Sequence, residues 1–92
     1  MDINELREKI DAIDGELVPL FEKRLRIASE IAEYKKENCV PVCDPLRESQ
    51  KLAEIAEMCG PGLGRYVTEL YARIFEISRS YQQSLIEGDP NQ

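Results

Sequence analysis

A seam of apolar residues, recurring every three and four positions, governs the first third of this chain. From Asp2 to Lys36 the sequence reads as one very long amphipathic helix, with Ile3, Leu6, Ile10, Ile13, Leu17 and Leu20 on a heptad stripe. By the same count the next seam position is Arg24, followed by Ile27, Ile31 and Tyr34. A guanidinium in the middle of an apolar stripe costs several kcal/mol unless an anion meets it, so either a protein carboxylate or an anionic ligand is expected there. At about 1.5 Å per residue the helix runs to about 50 Å, more than the rest of the chain can cover. The uncovered stripe predicts a partner chain.

The length of 92 residues allows one domain, 1–92, with a small core, a size at which oligomerisation is a common remedy. A third of the residues are charged and Trp is absent, the profile of a soluble helical protein. The formal net charge of −6 argues against nucleic-acid or membrane-surface binding, since both need a positive field. No stretch approaches the roughly 20 apolar residues of a membrane span, and the polar start Met1-Asp2-Ile3-Asn4 does not resemble a signal peptide. The expectation is a cytoplasmic protein. Three cysteines, Cys39, Cys43 and Cys59, with no histidine to accompany them, read as reduced thiols and not as a metal site. The lack of histidine also excludes Ser-His and Cys-His nucleophile systems. Gly60-Pro61-Gly62-Leu63-Gly64 has neither the Lys-Ser/Thr nor the preceding strand of a phosphate loop, and reads as a turn.

Asn4 or Asp2 can cap the first helix. Pro19 lies inside it, at a cost of about 3 kcal/mol, with Gly15 four residues earlier to absorb the distortion. The seam keeps its register across Pro19, which predicts a mild kink; a break into two helices is the alternative. Positions 38–43 form a short extended connection. Asp44 as N-cap and Pro45 at the first helical position open a second helix, with Leu46, Leu52, Ala53, Ile55, Ala56 and Met58 on its apolar face, and Gly60-Pro61 ends it. A third helix is predicted from about Arg65 to Ile86, with Val67, Leu70, Tyr71, Ile74, Phe75, Ile77, Tyr81 and Leu85 on its stripe. Ser78 and Gln82 fall on that same face, where apolar residues are expected. Positions 87–92 read as a frayed tail.

Lys35 lies close to three full turns after Arg24, so the two project the same way with Cα atoms about 16 Å apart. Two long cationic side chains leaning together can hold an anion of several ångströms. Arg47 and Glu48 sit beside the Asp44 cap. Arg7 is rotated about 100° from Arg24 on the same helix, so it reaches that pocket only from an antiparallel or intertwined partner. Each of these residues also has an ordinary reading. Arg7 is a solvated ion-pair residue among Glu5, Glu8 and Asp11. Lys35 suits a helix C-terminus, Asp44 is a cap in any case, and Ser78 and Gln82 can bond each other. Spacing alone reaches a helical oligomer with a basic, polar-lined pocket for a small polyanion.

The segments Leu6-Arg7-Glu8-Lys9-Ile10-Asp11-Ala12-Ile13-Asp14, Leu20 to Arg24 with Ile31 to Lys35, Val42-Cys43-Asp44-Pro45-Leu46-Arg47-Glu48, and Ser78 with Gln82-Gln83 make the comparison more specific. Over nearly its full length the chain resembles the all-helical class of chorismate mutase. The resemblance implies an all-α fold of three helices per chain in an intertwined homodimer with two equivalent active sites. It also implies conversion of chorismate to prephenate, an isomerisation in phenylalanine and tyrosine biosynthesis that needs no cofactor or metal. By the same resemblance, Arg7 of the partner subunit and Lys35 would bind the enolpyruvyl carboxylate, and Arg24 with Ser78 the ring carboxylate. Glu48 and the backbone at Asp44 would hold the substrate hydroxyl, with Arg47 alongside, while Lys35 and Gln82 would donate to the ether oxygen. Isochorismate-pyruvate lyases share this pattern. A rival from another class is a non-catalytic helical dimerisation module, with Arg24 satisfied by Glu16 or Glu30.

Overall fold

The computed structural model describes residues 2–88. They form three helices, α1 (Ile3–Glu37), α2 (Pro45–Met58) and α3 (Gly64–Glu87). This is the all-helical arrangement with a very long first helix that the patterning predicts. Asp2 is the cap of α1, its carboxylate accepting from the Asn4 N–H at 2.8 Å. Glu5 in the first turn and Lys35 and Lys36 in the last match the helix dipole. The helix runs unbroken through Pro19, so the two-helix alternative does not hold.

The connection after α1 departs from the extended path expected for 38–43. Asn38 and Cys39 form a turn, with Cys39 in the left-handed region at φ 55°. This lets the Val40 N–H reach back to the Lys35 carbonyl at 2.9 Å, the six-to-one bond of a Schellman cap. Only after that turn does the chain extend toward Asp44, whose side chain accepts from the Arg47 N–H at 3.0 Å and starts α2. At the far end Gly88 caps α3 at φ 68°. The expected tail therefore begins no earlier than Gly88, and its positions 89–92 lie outside the described residues.

α3 is the central element, packing on the second half of α1 and on α2, while α1 and α2 do not pack on each other. Buried side chains are Ala28 and Ala32 from α1, Ile55 from α2, and Phe75, Ser78 and Gln82 from α3. The α1 face toward α3 is thus Ala28 and Ala32, one position on from the heptad seam, where small side chains let the helices approach closely. Ile27 and Ile31 of the seam stay 48% and 43% exposed. The predicted apolar face of α2 is used only in part: Ile55 is buried and Leu52 half-buried, whereas Leu46 and Met58 are exposed.

The first half of α1 touches neither of the other helices in a way that covers it. Ile3, Leu6, Ile10, Ile13, Leu17 and Leu20 are all 40–63% exposed. The molecule measures 54 × 30 × 16 Å with a radius of gyration of 16.4 Å, against about 12 Å for a globule of this length. Among the described residues no helix is long and apolar enough to cross a membrane.

Candidate functional site

The second half of α1, the start of α2 and the C-terminal half of α3 enclose a cleft of about 340 Å³. The Asp44 cap sets its wall: the capped first turn presents Arg47 and Glu48 together, and the Glu48 N–H closes onto the Asp44 carbonyl at 3.1 Å. The α1–α3 contact sets its floor, because burying Ala28 and Ala32 against α3 turns Arg24, Ile27, Ile31 and Lys35 toward the opening.

Of the eight residues singled out from the sequence, Arg24, Lys35, Asp44, Arg47, Glu48, Ser78 and Gln82 all line this cleft. Arg7 does not; it lies on the exposed first half of α1 and forms no wall of the cleft in its own chain. Seven further residues line it, the apolar Ile27, Ala28, Ile31, Val42 and Phe75 and the cations Lys51 and Arg79. Lys51 was in principle legible, since it follows Arg47 by four residues and shares its helix face. Arg79 was not, because its partner is 31 residues away.

Arg24 is half-buried, and its guanidinium sits 5.6 Å from the centroid of the Phe75 ring. The ring offers a cation–π contact, roughly 0.5–2 kcal/mol, which offsets part of the burial cost of the charge. Phe75 is fixed in turn by an edge-on contact with Tyr71, at 6.1 Å between centroids. Among the described residues no carboxylate forms an ion pair with Arg24, and neither Glu16 nor Glu30 supplies one. Lys35 donates one hydrogen bond to the Val42 carbonyl at 2.9 Å, which ties the α1–α2 connection to α1 and leaves two N–H groups for a ligand.

The opposite wall is neutral and polar. Gln82 Nε2 donates to Ser78 Oγ at 3.0 Å, with both residues buried, and Gln82 Oε1 has no partner among the described residues. The amide nitrogen keeps a second N–H and the Ser78 hydroxyl keeps its own O–H, so each side chain still has a donor to offer a ligand. Nearby, Arg79 Nη1 donates to Glu48 Oε1. That hydrogen bond raises the Arg79 pKa above its already high ordinary value, against the opposing effect of partial burial.

Five cationic side chains, Arg24, Lys35, Arg47, Lys51 and Arg79, face two carboxylates, Asp44 and Glu48, so the lining carries +3 in a chain of −6. Such a site attracts a small anion from a protein surface that otherwise repels it. Its groups are hydrogen-bond donors and point charges, suited to holding and polarising a ligand. The cysteines are free, Cys39 and Cys43 being exposed and Cys59 half-buried, and none lines the cleft. Among the described residues no cluster of His, Cys, Asp or Glu could hold a metal ion.

Comparison with known proteins agrees with this picture. The chain is 31% identical over 80 residues to a T-protein of Haemophilus influenzae, covering 76% of this chain and 21% of that protein. It is 36% identical over 55 residues to a chorismate mutase of Methanocaldococcus jannaschii, covering 60% of this chain and 56% of the other. It is 33% identical over 89 residues to a bifunctional chorismate mutase/prephenate dehydratase of Enterobacter agglomerans, covering 94% of this chain and 23% of that protein. These alignments span between about a fifth and somewhat over half of the relatives' own lengths. No solved structure matches. At the family level, residues 6–83 match chorismate mutase type II, a span that takes in all of α2, nearly all of α1 and α3, and every lining residue of the cleft. The chain belongs to the type II chorismate mutase family.

Proposed function

We propose that this protein converts chorismate to prephenate, and that it does so as a dimer whose partner completes each cleft. The observation that carries the reading is Arg24, a half-buried guanidinium at the floor of a +3 cleft with no carboxylate among the described residues paired to it. An anionic ligand satisfies it. Chorismate is a dianion with one carboxylate on the ring and one on the enolpyruvyl arm, and the rearrangement breaks a C–O bond as a C–C bond forms between the arm and the ring. Such a pericyclic step takes no nucleophile or general base from the protein. It requires the flexible arm to be held over the ring, which is a matter of orientation.

Arg24, with the Ser78 hydroxyl, takes the ring carboxylate; a planar guanidinium suits a carboxylate's two oxygens. Lys35 takes the arm carboxylate, together with Arg7 of the partner subunit. Glu48 and the Asp44 backbone hold the ring hydroxyl, flanked by Arg47. As the C–O bond lengthens, negative charge grows on the ether oxygen, where the Lys35 ammonium and the Gln82 amide donate. Donors fixed at such a point are worth about 2.7–4 kcal/mol each in other enzymes. The lysine's bond to Val42 and the glutamine's bond to Ser78 support this role, because both side chains are held before the ligand arrives.

The dimer is supported by the exposed seam from Ile3 to Leu20 and by the elongated shape. A second copy buries that stripe and carries Arg7 into the neighbouring cleft. The test of the activity is to add the protein to chorismate and follow loss of its ultraviolet absorbance, with prephenate identified as the product. Unchanged chorismate contradicts the reading. Pyruvate released from isochorismate would assign the cleft to the lyase reaction.

A further inference from the structure

Three ion pairs occur among the described residues, and one of them joins two helices. Lys51–Glu54 and Arg73–Glu76 each span a single helical turn on the surface. Arg79–Glu48 instead links α3 to the first turn of α2, inside the cleft, with the two side chains 33% and 25% exposed. The bond uses one oxygen of Glu48, Oε1. No hydrogen bond among the described residues uses Oε2.

This division of the carboxylate has a consequence for recognition. Glu48 shares α2 with two other cations, Arg47 beside it and Lys51 one turn on. A glutamate held by nothing else in such surroundings can swing between them, and its charge repels an anionic ligand. The guanidinium across the cleft fixes one oxygen, neutralises the carboxylate and leaves a single acceptor in a set place. A fixed acceptor disfavours a ligand that has no donor to give it, since the ligand then displaces water from that half-buried oxygen and leaves it unpaired.

We infer that Arg79 is a positioning residue: by holding Oε1 of Glu48 it aims Oε2 at the ring hydroxyl of the substrate, and so makes the cleft selective for a hydroxyl-bearing ring. This rests on the reading of the cleft as a chorismate site. The hydroxyl gains no charge during the rearrangement, so the contact acts equally on the bound substrate and the transition state. Its loss shows in KM, with little change in kcat.

The experiment compares chorismate with an analogue in which the ring hydroxyl is replaced by hydrogen, using the wild-type protein, Arg79→Leu and Arg79→Gln. Wild type is expected to prefer chorismate by roughly ten- to a hundredfold in kcat/KM, the range for a hydrogen bond to a charged group. Arg79→Leu reduces the preference to within about threefold, through a raised KM for chorismate and a kcat within about threefold of wild type. Arg79→Gln, which offers one neutral donor in place of a charged fork, falls between the two. The preference is a ratio within one preparation, so partial unfolding of a variant does not alter it. If Arg79→Leu does not fold, Arg79→Gln decides. A wild-type preference retained in a folded variant overturns the inference, as does a loss confined to kcat and equal for both compounds. A wild-type protein that leaves chorismate unchanged overturns the assignment of the cleft itself.

Discussion

At the scale of single residues, the side chains that could be read from sequence are those that break a pattern. Arg24 interrupts an apolar seam, and Ser78 and Gln82 interrupt an apolar stripe; all three are buried or half-buried at the cleft. Gln82 gives the sharpest chemical test. Its amide donates at any ordinary pH, so the contact proposed with the ether oxygen would add no pH dependence to the wild-type rate. Glu in its place keeps the shape but donates only when protonated, and when ionised it sets a negative charge beside an oxygen that is becoming negative. Gln82→Glu is therefore expected to lose about a hundredfold or more in kcat/KM near neutral pH, and to recover with uptake of one proton as the pH falls. A pH–rate profile parallel to the wild type would remove Gln82 from the reacting oxygen. Arg79 was illegible for the converse reason: a cation on a helix surface looks solvated until the fold brings a partner from another helix to it.

At the scale of the elements, caps and stops were legible because their chemistry is local. Asp2 and Asp44 cap as their type predicts, and Gly60-Pro61 ends the helix before it. The face of α1 that meets α3, Ala28 and Ala32, lies one position on from the seam, and nothing in the sequence pattern marked it. A straight helix drifts by about 20° per heptad against a strict seven-residue repeat, and the alanines carry too little apolar area to register as a stripe. Two substitutions test the helix itself. Pro19 removes an internal hydrogen bond from a helix that nevertheless continues past it, so Pro19→Ala is expected to raise the unfolding midpoint; the interior-proline cost of about 3 kcal/mol is the upper bound. A lowered midpoint would mean that the proline's local geometry is required by packing. Cys39 occupies the left-handed position of the α1 cap, where a side chain costs roughly 1–2 kcal/mol and Gly costs little. Cys39→Gly is expected to stabilise by about 0.5–1 kcal/mol after allowing for the freer unfolded chain. Cys39→Val, β-branched at the same φ, is expected to destabilise. Denaturant unfolding of the pair checks the sign of each, and equal midpoints would contradict the strain.

At the scale of the whole molecule, one chain builds a cleft and leaves half of its longest helix bare. Six seam residues, from Ile3 to Leu20, have no cover, and Arg7 on that same segment cannot serve the cleft of its own chain. The proposed dimer accounts for both facts, with a second copy covering the seam and delivering Arg7. The exposed seam itself was readable from the heptad count, since a helix of about 50 Å has too little chain left to cover it. The central claim, an anion cleft made by one chain and completed by another, is tested by complementation. Arg7→Ala and Arg24→Ala homodimers are each expected to be nearly inactive toward chorismate. Unfolded together in equal amounts and refolded, half of the dimers are mixed, and each mixed dimer has one site with a sound Arg24 from one chain and a sound Arg7 from the other. The mixture is expected to recover about a quarter of wild-type activity, as random pairing in a twofold dimer gives. A mixture that stays as inactive as its two parents would show that Arg7 does not act across the interface.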